Sequence, residues 1–149
     1  MTRLGLLDNA VVDGMRVTGL ARTALDLARE HGFLAGVAAC DATLQLGARV
    51  AEFEVELGVM AYWPEVKTAR AAADAMDPGA ESLGESLTRV VLEELGLGDI
   101  ETQFPVKVDS RVYWVDLRVG GHLVEFDGFL KFLRPERGGV AERPVEEIA

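Results

Sequence analysis

Asp116, Glu125 and Asp127 stand among strand-forming residues, with Lys131 close behind them and Glu85 in a helical stretch upstream. Carboxylate oxygens are hard donors that suit Mg²⁺ or Mn²⁺, a metal ion turns water into a usable nucleophile, and a lysine can offset charge developing on a phosphate. Such a set is equipped for phosphodiester hydrolysis without a nucleophilic side chain. Alternation puts Val115, Leu117 and Val119 on one face of a strand and Trp114, Asp116 and Arg118 on the other. The following strand adds Val124 and Phe126 to the first face and Glu125 and Asp127 to the second. With Gly120-Gly121 as a two-residue hairpin turn, Val119 pairs with His122, Leu117 with Val124, and Asp116 falls opposite Glu125. Opposed Cβ atoms in such a ladder are roughly 4.5–5.5 Å apart, so like charges repel unless a divalent cation, a Lys or an Arg sits between them. Glu85 joins the cluster if its helix packs near the sheet edge. The same acids also fit the solvated face of an edge hairpin, where polar alternation is the norm. Against that, acidic residues are poor strand formers and three of them share one small surface.

Other chemistry-bearing residues have plainer readings. His122 sits beside the hairpin turn, where a surface histidine is commoner than a proton shuttle. Cys40 lies among Ala38 and Ala39 with no basic neighbour, which fits a small buried hydrophobe better than a nucleophile. Trp63, next to Pro64, is expected in core or linker packing, and Trp114 is expected to cover the sheet on the carboxylate face. Arg134, Arg137 and Arg143 make the tail basic, but Glu136, Glu142, Glu146 and Glu147 offset them.

The elements that must position the cluster can be read from periodicity. Short apolar runs from Asp8 to Val17, broken at Asp13-Gly14, look like the tail of a strand or hairpin whose partner is missing. Helical spacing follows from Thr18 to His31-Gly32, then from Leu34 to Leu46, Ala51 to Met60 and Glu65 to Met76, with Pro64 as a break. Asp77-Pro78-Gly79 is the best linker candidate. An amphipathic helix from Ala80 to Leu95 is expected to bury Leu83, Leu87, Val90, Val91 and Leu95 and to expose Glu81, Glu85 and Arg89. The period then changes to two over Thr102 to Val108, Arg111 to Val119 and His122 to Asp127, which predicts a three-stranded antiparallel meander. The fold class is therefore α+β: a helical region over residues 1–76, then a helix and meander within residues 77–149.

The chain of 149 residues has 49% apolar and 27% charged residues, enough for one modest core or two small coupled ones. No apolar run suits a membrane helix or a signal segment, so the expected location is cytoplasmic. One cysteine and two histidines exclude a disulfide and a cysteine-built zinc site, leaving a carboxylate site for a hard metal and no small-molecule cofactor. A net charge of −10 argues against a broad grip on DNA, which needs clustered Lys and Arg.

Glu81-Ser82-Leu83-Gly84-Glu85-Ser86, Gln103, Val106, Val115-Asp116-Leu117 and Leu123-Val124-Glu125-Phe126-Asp127-Gly128 resemble the motif string of very-short-patch-repair-like endonuclease domains of the PD-(D/E)XK type. Such domains stand at the C-terminus of actinobacterial AbiEi-type antitoxins or transcriptional regulators. Arg16-Val17-Thr18 with Ala21 to Ala28 is similar to the segment that follows the winged helix in those proteins. The resemblance spans nearly the whole chain and implies a restriction-endonuclease-like fold for residues 77–149, incomplete at the C-terminus, in a chain truncated at both ends. It implies Glu85 as the helix carboxylate, Asp116 as the central metal ligand, and Glu125 with Asp127 as the second acidic pair. Where the pattern has a lysine two residues after the acid, this sequence has Asp127, and Lys131 would have to substitute.

Three functions fit these residues. One is a DNA endonuclease using Mg²⁺ or Mn²⁺, with Glu85, Asp116, Glu125 and Lys131 catalytic and Asp116, Glu125 and Asp127 on the metal. The second is a non-catalytic module of a toxin–antitoxin system that binds DNA or a protein partner such as a toxin. An inactive fragment of such a protein is the third.

Overall fold

Asp13 and Gly14 both have positive φ, 50° and 79°, which gives a two-residue turn the twist needed to join neighbouring strands. A computed structural model describes residues 9–126, and in it this turn connects β1 (Asn9–Val12) to β2 (Met15–Thr18). Val12 faces Met15 and Asn9 faces Thr18. The strand expected to lack a partner thus pairs with its immediate neighbour in sequence. The whole described chain is α+β, with five helices, this hairpin and a three-stranded antiparallel sheet. Contacts divide it into two units, one ending at Glu81 and the other beginning at Ser82.

Four helices build the first unit: α1 (Leu20–His31), α2 (Phe33–Gln45), α3 (Val50–Val59) and α4 (Val66–Asp74). Gly32, at φ 92°, lets the chain stop α1 and start α2 at a single residue. Small residues decide how closely these helices meet. Ala24 and Ala28 of α1, Gly36 of α2, and Ala69 and Ala72 of α4 are all buried. A Cβ placed on Gly36 would overlap that of Ala28 and lie 2.8 Å from that of Ala72. Leu25, Val37, Phe53, Leu57 and Met60 fill the wider parts of the core.

A charged network lies inside this unit. Arg22 is 4% exposed and its Nε donates to Asp26 at 2.7 Å, while its Nη1 is 3.7 Å from the buried Glu56 carboxylate on α3. The guanidinium lies 4.5 Å from the centre of the Trp63 ring. Arg29 is 5.0 Å from the same ring, pairs with Asp26 at 2.6 Å and donates to the Pro64 carbonyl at 2.8 Å. Trp63 therefore packs against two cations, and α1 is tied both to α3 and to the chain that follows it.

Asp77-Pro78-Gly79 is fastened to α2. Buried Asp41 accepts the Asp77 N–H at 2.7 Å, Asp77 accepts the Gly79 N–H at 2.6 Å, and the Gln45 amide donates to the Pro78 carbonyl. Its neighbour Cys40 is fully buried, and burial, with the Asp41 carboxylate adding to it, pushes the thiol up to about 12. A thiol so reluctant to ionise is a packing residue.

The second unit contains α5 (Leu83–Glu94), β3 (Ile100–Val108), β4 (Arg111–Val119) and β5 (His122–Val124), with β4 central. Both turns are two residues long, since Val108 pairs with Arg111 and Val119 with His122. Asp109 and Gly120 supply the positive φ. Val115, Leu117 and Val119 are buried as alternation requires. Pro105 is accommodated because β3 is an edge strand, where a residue without an N–H can face outward.

The buried face of α5 is not the expected one. Glu85, Ser86, Arg89 and Val90 are buried, whereas Leu83, Val91 and Leu95 are 64%, 48% and 63% exposed. Hydrophobic spacing misassigns the face because Gly84 and Ser86 allow close approach, and the carboxylate and guanidinium beside them have polar partners nearby in sequence. Glu85 binds Ser82, and Arg89 pairs with Glu93 at 2.9 Å. Among the described residues no helix is long and apolar enough to cross a membrane.

Candidate functional site

Asp116 lies at the middle of the candidate site because it occupies the central strand. The register is as expected through Leu117–Val124, but the ladder ends there. Instead of continuing to pair, the chain brings the Phe126 N–H to Oδ2 of Asp116 at 2.7 Å. Glu125, expected directly opposite Asp116, falls outside the ladder and is exposed. On the other neighbouring strand, position 103 stands opposite Asp116, since Thr102 pairs with Leu117 and Phe104 with Val115. Gln103 has φ 49° and makes no ladder pair, so the sheet is interrupted beside Asp116 on that side also.

The N-terminus of α5 supplies Glu85. Ser82 is the N-cap, accepting the Glu85 N–H at 3.2 Å and donating its hydroxyl to the Glu85 carboxylate at 2.7 Å. This S-x-x-E pattern starts the helix and also fixes the candidate carboxylate in a part of the unit where Glu85 is only 8% exposed. Ser82→Ala is expected to cost about 1 kcal/mol of stability through the lost cap. Chemical denaturation would show it as a lower midpoint with unchanged slope, and an unchanged midpoint would mean the cap is not what holds this turn.

Phe126 links the two halves of the site. Its N–H meets Asp116, and its ring covers Gly84, the residue before Glu85. A Cβ on Gly84 would overlap Cε1 and Cζ of the ring and lie 2.5 Å from Cδ1. Sequence reasoning placed Phe126 with the core and gave Gly84 no role. Nothing in the spacing marks a glycine as a seat for a ring.

Arg118, two residues along β4 from Asp116, pairs with Glu101 directly across the ladder and lies 4.5 Å from the centre of the Phe104 ring. It is thereby held by β3. His122 and Glu125 are exposed and Trp114 is half-buried. Among the described residues no three His, Cys, Asp or Glu side chains are grouped closely enough to hold a metal ion. Asp127 and Lys131 lie outside the described residues. What the structure brings together is Asp116, Phe126 and the first turn of α5. No family model, no curated protein and no solved structure matches this chain.

Proposed function

We propose that the second unit is a restriction-endonuclease-like module that hydrolyses phosphodiester bonds in DNA with Mg²⁺ or Mn²⁺. The observation that carries this reading is the Phe126 bridge, which draws the central-strand carboxylate of Asp116 toward the helix turn bearing Glu85. Asp116 has one oxygen engaged by a backbone N–H, which fixes the carboxylate plane and leaves other lone pairs for a ligand. Glu85 is oriented by the Ser82 hydroxyl. In this reading Asp116, Glu125 and Asp127 are the metal ligands and Lys131 is the cation that offsets charge on the phosphate. The metal, when bound, would supply Lewis-acid polarisation and a water of lowered pKa.

A second reading is favoured by the net charge of −10 and by the lack of a three-ligand group among the described residues. There the same unit is a non-catalytic module of an AbiEi-like antitoxin or regulator, acting through a protein partner or through DNA.

Thermal unfolding with and without Mn²⁺ separates the two. At 100 times its Kd, a ligand stabilises the fold that binds it by about 2.7 kcal/mol. The parent chain is expected to gain this and Asp116→Asn to lose it. If both variants are folded and neither responds to Mn²⁺, the catalytic reading falls and the regulatory module, or an inactive fragment of one, takes its place.

A further inference from the structure

We propose that Gly84 and Phe126 act together as positioning residues for the Asp116 carboxylate. For its place in a metal site, this rests on the reading above. After Val124 the chain has left the ladder, so no strand pairing holds residue 126 in place. Its N–H nevertheless lies 2.7 Å from Asp116 Oδ2. Something other than the sheet must fix that N–H, and the ring is the candidate, because it rests on the first turn of α5 at the one position without a side chain.

The contact is specific to glycine. Any Cβ at position 84 would overlap the ring, and the backbone of the helix start cannot retreat without breaking the Ser82–Glu85 cap. The ring would have to leave its seat, and residue 126 would lose the packing that holds its N–H against Asp116. A carboxylate that loses such a donor regains rotation about its Cβ–Cγ bond. Partners of this kind orient the groups that bind metals, and their loss typically weakens binding about 10–100-fold. Gly84 acts only through Phe126, and Phe126 only through Asp116.

Backbone amide exchange at residue 126, followed by NMR in the whole chain at one pH and corrected for sequence-dependent intrinsic rates, tests the contact without any metal. The parent amide is expected to be protected. In Gly84→Ala, in Phe126→Ala and in Asp116→Ala it is expected to lose that protection, while the β4 amide of Leu117 keeps its own. Should Gly84→Ala disturb the sheet, Phe126→Ala reads the same contact without adding an atom.

The proposal is overturned if the parent amide is unprotected, or if protection survives in both Gly84→Ala and Phe126→Ala. Mn²⁺ titration of the same samples gives the second readout, with affinity expected to fall about 10–100-fold in both variants. Equal affinity in parent and variants overturns the positioning role. No Mn²⁺ binding to the parent, with the exchange pattern as expected, sinks the metal-site reading and leaves the Gly84–Phe126–Asp116 contact standing.

Discussion

Gly36→Ala is expected to destabilise the helical unit by about 1–3 kcal/mol, and Gly36→Val to prevent it from folding stably. Two effects oppose each other at this position. Replacing glycine by alanine inside a helix ordinarily gains roughly 0.5–1 kcal/mol, because the unfolded chain loses less freedom on folding. Here the added methyl would overlap the Ala28 Cβ and sit 2.8 Å from the Ala72 Cβ and 2.9 Å from the Ala28 Cα. None of these atoms is the end of a flexible side chain, so relief requires α1 or α4 to shift as a body. Overpacking therefore wins. Gly58, on α3 with nothing within 4 Å of its missing Cβ, is the control. Gly58→Ala is expected to stabilise by roughly 0.5–1 kcal/mol, less if the last turn of α3 frays. Urea unfolding followed by circular dichroism measures both, and two shifts of the same sign would refute the packing argument.

Arg22→Met is expected to cost about 3–5 kcal/mol. Methionine matches the aliphatic stem, so the loss comes from removing the buried guanidinium from its carboxylates and from the Trp63 ring. Glu56 is 3% exposed and faces Arg22 at 3.7 Å, and Asp26 is at 2.7 Å. Asp26 keeps Arg29 at 2.6 Å, whereas Glu56 loses the cation it faces at 3.7 Å. The double variant Arg22→Met with Glu56→Gln should recover part of the loss, since it removes the buried charge that Arg22 faces. Equilibrium denaturation of the four members of this cycle reads the coupling directly. A coupling near zero would show that Arg22 acts through its stacking on Trp63 instead.

Much of the fold was legible because it depends on local chemistry. Apolar spacing located five helices, and glycine, proline and aspartate marked their ends and the hairpin turns. The register of the meander followed from Gly120-Gly121, and with it the pairing of Leu117 with Val124. Other features depend on partners distant in sequence. The Arg22–Glu56–Trp63 network joins residues that no periodic pattern relates. The buried face of α5 was misread because hydrophobicity alone was taken to choose it, whereas Gly84, Ser86 and the paired side chains of Glu85 and Arg89 lie on the buried side. At the candidate site, alternation identified the face carrying Asp116 but could not foresee that the ladder would end one residue short of Glu125. That ending replaces a pair of opposed carboxylates with a carboxylate bound by a backbone N–H.

The irregular stretch of β3 also matters for behaviour at high concentration. In antiparallel pairing, alternate residues of an edge strand direct their N–H and C=O groups away from the sheet, and such a row can template pairing with another chain. On β3 that outward row includes positions 103 and 105, because Pro105 has no N–H to give its neighbour β4. Proline removes one donor from the row, and the left-handed backbone of Gln103 turns the adjacent position out of line. A second molecule would meet a gap and a bend in succession along this margin. Among the described strands, the β3 margin is thereby a poorer template for pairing with a second chain than a regular edge would be.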